Sequence, residues 1–241
     1  MALLEAFSVD DLVELSSEVR ALAEGAATMA EAGQRICDHL HENLVLDDGS
    51  PGSFAVRLYK THAHRLLPPS HAEMARRVDE TVDERTPVLV LLASAPGGVD
   101  PTVLEETEMM TPLTRRAFDV QPMLPQLIVS LGVEVDTILD PTKVLAMRLQ
   151  SKNLDVFVEN DLAESALLPD EEARARVREL GVAAIVAVGG ILPSGDLFLL
   201  SLFPRVEVSE RVADLLRSFG IAVKAALIPH TFRPFAEASA G

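Results

Sequence analysis

From Val182 to Val208 the chain reads VAAIVAVGGILPSGDLFLLSLFPRVEV, two apolar runs, the first rich in β-branched residues, with a turn-forming cluster between them. Val182–Val188 and Leu197–Phe203 suit a pleated, buried surface, and Gly189 to Asp196 holds the Gly, Pro, Ser and Asp that a chain reversal needs. The spacing predicts two antiparallel strands in the interior of one sheet. Neither run is long enough to span a bilayer, and turn residues interrupt them.

The rest of the chain has to supply what covers such a sheet. With 241 residues it can bury a sizeable core, and 48% hydrophobic against 24% charged residues argues against disorder. The net charge of −16, from 37 acidic and 21 basic residues, repels polyanions, which excludes nucleic acid and an anionic membrane surface as expected partners. One cysteine, Cys37, permits neither an internal disulfide nor a cysteine zinc site. MALLEAFSVDD has no basic stretch followed by an apolar one, so no signal peptide is read and the cytoplasm is the expected compartment.

At the N-terminus, Ser8 followed by Asp10 and Asp11 reads as a helix cap. Leu12, Leu15, Val19, Leu22, Ala26, Met29, Gly33, Ile36 and Leu40 then recur at alternating spacings of three and four. The pattern predicts one amphipathic helix from Asp10 to Asn43, roughly 50 Å long at 1.5 Å per residue. A helix of that length overhangs its sheet and calls for the same helix of a second subunit.

Phe54–Thr61 alternates Phe54, Val56, Leu58 and Lys60 against Ala55, Arg57, Tyr59 and Thr61, a strand with one wetter face. His71–Glu84 reads as a charged, helix-permissive segment and Pro87–Ala95 as an interior strand. Pro96–Pro125, with its prolines and Met109, Met110 and Met123, reads as an irregular binding loop or lid. Gln126–Leu139 and Thr142–Gln150 read as short helices, Asp155–Val158 as a strand, and Pro169–Leu180 as a helix closed by Gly181. Ser209 caps a last helix with Val212, Leu215, Leu216, Phe219, Val223 and Leu227 on one face. The order implies an α+β sandwich, an antiparallel sheet with helices on its faces.

The block Gly189-Gly190-Ile191-Leu192-Pro193-Ser194-Gly195-Asp196-Leu197-Phe198 resembles one found in bacterial GAF-like sensor regions. Arg57-Leu58-Tyr59-Lys60-Thr61-His62 with Leu67-Pro68-Pro69, Asp155–Val158, and Val223–Pro229 are similar to further parts of the same family. The resemblance implies a GAF/PAS-like fold that binds a small ligand ahead of a kinase, phosphatase or cyclase output domain. It leaves the ligand unnamed, and Gly97–Phe118 lacks the Trp- and His-containing stretch of relatives. The chain reads as a free-standing sensor or as one piece of a longer protein.

Candidate chemistry is sparse. Ser194 lies in a turn without an obvious base, and His62 and His64 at a strand end read as solvated rather than metal-binding. His39 and His41 diverge on a helix, Cys37 lacks a resolving partner, and Glu105, Glu106 and Glu108 read as a solvated run. No catalytic and no metal-ligating residue is assigned, and the cofactor is unknown.

The resulting expectation is a non-catalytic homodimeric sensor. Residues 1–45 form a dimerisation helix and 46–235 a sensor domain. Leu12, Leu15, Val19, Leu22, Met29, Ile36, Leu216 and Val223 are the expected dimer contacts, and Tyr59, Met109, Met110, Phe118, Met123 and Phe157 the expected ligand pocket. Strands 54–61, 88–93 and 182–188 would be the floor and Pro96–Pro125 the roof, with the terminal helices on the opposite face. An enzyme with an unrecognised site and a ligand-free structural dimerisation module are the alternatives.

Overall fold

The computed structural model describes residues 1–100, 102, 104–139 and 156–235. The two apolar runs form β7 (Ala184–Ile191) and β8 (Leu197–Pro204), paired antiparallel from Val186↔Leu202 to Ile191↔Leu197. Gly195, at φ 89°, takes the left-handed turn position between them. β3 (Ser53–Ala63) lies on the other side of β8, followed outward by β4 (Pro87–Ala95) and the short edge strand β5 (Met110–Pro112); β6 (Val156–Asn160) flanks β7. The six-stranded sheet runs β5-β4-β3-β8-β7-β6, and every pairing is antiparallel. β1 (Ala2–Leu3) and β2 (Leu44–Val45) make a separate parallel pair.

Alternation along the strands separates two apolar layers. Val56, Leu58, Val90, Val188, Phe198, Leu200 and Leu202 point into one, against α1 (Val9–Ala23), α2 (Met29–Asn43) and α9 (Glu210–Leu227). Leu89, Phe157, Ile185, Ala187, Leu197 and Leu199 point into the other. There they meet α6 (Met123–Ser130) and α7 (Val135–Leu139), with α5 (Arg115–Val120) and α8 (Glu171–Leu180) at the margin. The α+β sandwich is therefore built as its sequence order implied.

The N-terminal helix is two helices rather than one. α1 ends at Ala23, Gly25 takes φ 73°, and Thr28 caps α2 by accepting from Glu31 N at 3.1 Å. The two run antiparallel: His39 Nε2 lies 2.9 Å from Glu18 Oε2, and Arg35 Nη1 donates to Leu22 O at 3.2 Å. A hairpin buries both apolar stripes in the chain's own core, so the 50 Å overhang does not arise. Leu15, Val19, Met29, Ile36, Leu216 and Val223 are buried there, while Leu12 and Leu22 are half-buried.

Three further expectations change. Pro96–Pro125 is not irregular throughout: it supplies α4 (Glu106–Met109), the edge strand β5 and α5. Gln126–Leu139 is two short helices, separated where Gly132 adopts φ 74°. α3 covers Pro69–Val78, ending earlier than Glu84. The predicted helix Thr142–Gln150 and the first residue of the strand at Asp155 lie outside the described residues.

Candidate functional site

Arg57 is the residue around which a site can be built. It stands on β3 in register with Ser94 of β4 and Ser201 of β8, so the positions beside it on the sheet carry small side chains. Its guanidinium lies 5.4 Å over the Phe203 ring. Its side chain is 12% exposed, and Nη1 donates to Glu108 Oε1 at 3.2 Å. Nε is buried and has no hydrogen-bond partner among the described residues. Burial works against the charge of Arg57, but Tyr59 and Glu108 beside it outweigh that and stabilise the cation. Burial raises the Tyr59 hydroxyl above its ordinary range, with Arg57 opposing.

Above Arg57 is a cleft of about 370 Å³. Phe54, Phe203 and Ile185 come to it from the sheet, Val182 from the turn after α8, Leu162, Leu168 and Met123 from neighbouring segments, and Ala173, Arg176, Val177 and Leu180 from α8. The α8 residues recur every three or four positions, which places them on one helix face. The Asp170 carboxylate caps this helix by accepting from Ala173 N at 2.9 Å, and Gly181 closes it in the left-handed region at φ 64°. No residue of α8 is buried. The helix lies on the cleft as a half-packed cover.

Charges hold the cover to the insert. Arg176 Nη1 lies 3.3 Å from Glu105 Oε1, and Arg176 Nη2 lies 3.5 Å from Glu108 Oε2. Glu108 thus stands between a half-exposed arginine at the mouth and a largely buried one on the floor. Glu105 N also donates to Glu108 Oε2 at 3.0 Å, which orients that carboxylate. The acidic run is therefore not simply solvated: Glu108 is 22% exposed and doubly paired, while Glu106 binds Arg77 at 2.6 Å.

Of the expected pocket residues, Met123 lines the cleft. Tyr59, Phe118 and Phe157 belong to the apolar layer on the same face of the sheet. Met109, the last residue of α4, is buried, and Met110 belongs to the opposite layer on the edge strand that α3 contacts. Of the stretch read as the roof, Glu105, Glu108 and Met123 reach the cleft, and α8 provides most of the cover.

The two motif blocks meet on the other side of β3. Lys60 Nζ lies 2.6 Å from Asp196 Oδ2, which also accepts from Ser194 Oγ at 2.5 Å. Leu197 N donates to Thr61 Oγ1 at 2.8 Å. Burial lowers the Lys60 pKa against the attraction of Asp196. His62 and His64 are buried, contrary to the solvated reading: α3 and the C-terminal segment cover them. His64 Nε2 lies 3.0 Å from Ala72 O, and the His62 ring packs 5.2 Å from that of Phe235. Burial pushes the His62 pKa down to about 3, with Lys60 adding to the effect. Cys37 is fully buried, and burial raises its thiol pKa. Among the described residues no three His, Cys, Asp or Glu side chains come together as a metal needs, and no helix is long and apolar enough to cross a membrane.

No protein-family model and no curated protein matches the chain. Solved structures to which it is similar include the phycoerythrobilin-bound GAF domain from a cyanobacterial phytochrome, at 12% identity and TM-score 0.48 over 92% of this chain and 96% of that one. Residues 122 to 287 of a methyl-accepting chemotaxis protein match at 12% identity and TM-score 0.45, over 90% of this chain and 97% of that one. A GAF domain/HD domain protein from Geobacter sulfurreducens matches at 13% identity and TM-score 0.36, over 92% and 95% of the two chains.

Proposed function

We propose that the chain is a non-catalytic, GAF-like sensory module that binds a small molecule in the cleft between the sheet and α8. The observation that carries this reading is the cleft itself, apolar on its floor and charged at its rim. Its volume of about 370 Å³ falls in the range of roughly 300 to 1,000 Å³ usual for small-molecule sites. A cover with no buried residue, fastened by ion pairs that are half-exposed on the Arg176 side, opens at low cost, which a ligand gate requires. The motif block carries the GAF-like part of the reading, and its Asp196 serves to brace the sheet rather than to react.

The same reading takes the module to be a homodimer that passes its signal to an output domain or partner protein. With the α1 and α9 seam residues Leu15, Val19, Leu216 and Val223 already in the core, the surface left for a second copy is the outer face of these helices. It carries Val9, Val13 and Ile221, with Leu12 and Leu22 half-buried nearby.

Native mass spectrometry of the purified chain tests the cleft. A small molecule bound one to one, and lost when Ala173→Phe fills the α8 side, is the expected result. A ligand that survives this substitution unchanged binds elsewhere and removes the proposal.

A further inference from the structure

On the reading that the cleft holds a ligand, its chemistry narrows what that ligand is. The floor offers one charged group, Arg57, among Phe54, Phe203, Val182 and Ile185. The ring of Phe203 takes one face of the guanidinium, so hydrogen bonding is left to its edge. An arginine binds a carboxylate best in plane, through two parallel N–H···O bonds. Glu108 engages Nη1, the Tyr59 hydroxyl stands beside the same guanidinium, and Nε is buried without an acceptor among the described residues. A buried donor in that state is a cost to the free protein that an incoming acceptor removes.

The rim sets the limit on charge. Glu105, Glu108, Asp170 and Glu172 stand around two arginines, within a chain of net charge −16. Glu105 and Glu108 are neutralised by Arg176 and Arg57, and Asp170 is turned to its own helix N-terminus. Arg57 is already shared with Glu108, so a single carboxylate is the most negative charge the floor can take, whereas a phosphate dianion or a nucleotide meets surplus carboxylates on the way in.

We propose that the cleft takes a small monocarboxylic acid with an apolar body, the body against Phe54, Ile185 and Met123 and the carboxylate paired in plane with the Nε edge of Arg57. Glu108 is then a positioning residue: it holds the arginine through Nη1, and the incoming carboxylate takes up the buried Nε.

Three probes of one chain length separate the possibilities: octanoate, 1-octanol and octylamine, titrated into the full chain by calorimetry. The chain's single tyrosine, Tyr59, lies beside Arg57, and there is no tryptophan, so tyrosine fluorescence reports on the site directly. Octanoate is expected to bind about tenfold to a hundredfold more tightly than octanol, the range for a hydrogen-bonded charge, and octylamine more weakly than either. Arg57→Gln should bring octanoate to the level of octanol and leave octanol unchanged. Arg57→Lys, which keeps the charge but loses the fork, should lose most of the advantage and serves if the Gln variant does not fold. Glu108→Gln should tighten octanoate by removing a neighbouring like charge. Octanol that binds as tightly as octanoate and is excluded by Ala173→Phe overturns the acid assignment while the cleft stands. If none of the three binds at millimolar concentration, the acid assignment falls, and the bound species sought by native mass spectrometry still decides the cleft.

Discussion

Lys60, 3% exposed, holds Asp196, 29% exposed, across 2.6 Å, and so ties β3 to the turn that leads into β8. The asymmetry in burial makes the two ends of the pair unequal. Removing Asp196 strands a buried cation, whereas removing Lys60 leaves a carboxylate that water reaches and Ser194 still binds. Asp196→Ala is expected to cost about 3 to 5 kcal/mol, and Lys60→Met clearly less. Urea unfolding of both variants checks this, and equal losses would contradict it.

Acid should destabilise the fold through His62. Burial holds its pKa down to about 3 in the folded chain, against 6.5 for an unperturbed histidine, with Lys60 and His71 adding to the effect and Asp196 opposing it. Between those values the unfolded chain takes up a proton that the folded chain refuses. Stability is therefore complete above 6.5, falls by up to about 1.4 kcal/mol per unit as pH drops through the window, and levels off below 3. His62→Gln should flatten the dependence. Urea midpoints measured across the window that run parallel in the two proteins would remove His62 as the cause.

The outer face of α1 and α9 predicts a clean separation of assembly from folding. Val13→Glu with Ile221→Glu changes residues that are 65% and 59% exposed, so the melting midpoint should hold while sedimentation at micromolar concentration shifts from dimer to monomer. Leu15→Glu instead places a charge at a position 4% exposed and should unfold the chain by roughly 3 kcal/mol or more. A wild-type chain already monomeric under those conditions ends the dimer reading.

Two glycines should respond differently to a methyl group. At Gly189 a Cβ would lie 2.5 Å from the carbonyl oxygen of Phe198, a backbone atom on the paired strand that cannot step aside. At Gly33 the obstacle is the end of the Leu58 side chain, which can rotate. Gly189→Ala should therefore cost about 1 to 3 kcal/mol, and Gly33→Ala less. Thermal melts decide, and the reverse order would be inconsistent with this packing.

How much of this was legible in the sequence depended on distance along the chain. The β7–β8 hairpin, β4 and the capped α8 were readable because their signals are local: apolar runs, turn residues, Asp170 and Gly181. The two faces of β3 were readable as alternation from Val56 onward, and the wetter one carries Arg57; Phe54, expected beside Val56, lies instead on the Arg57 face, because the pairing with β8 shifts register between Ser53 and Val56. Its partners were not, because Glu108 is 51 positions away and the bond from Arg176 to Glu108 spans 68. The burial of His62 was hidden for the same reason, since Phe235 covers it. The break in the N-terminal helix had a signal that the three-four spacing overrode. Gly25 followed by Thr28 and Glu31 is a stop and a new cap, and Ala27 N donating to Glu31 Oε2 at 2.8 Å completes it.

The position of the β3–β8 seam has a consequence for the order of assembly. β7 and β8 form a hairpin, and β3 pairs with β4 across the connection that carries α3, whereas Lys60 and Asp196 are 136 residues apart. Closing so large a loop before contacts reward it is entropically unfavourable, so the two nearer pairings form early and the seam closes after the main barrier. Loss of the Lys60–Asp196 pair should then accelerate unfolding and leave the refolding rate nearly unchanged, a split that stopped-flow measurements on Asp196→Ala would show directly. The ion pair would act as a late clasp that sets how long the native sheet persists rather than how quickly it forms.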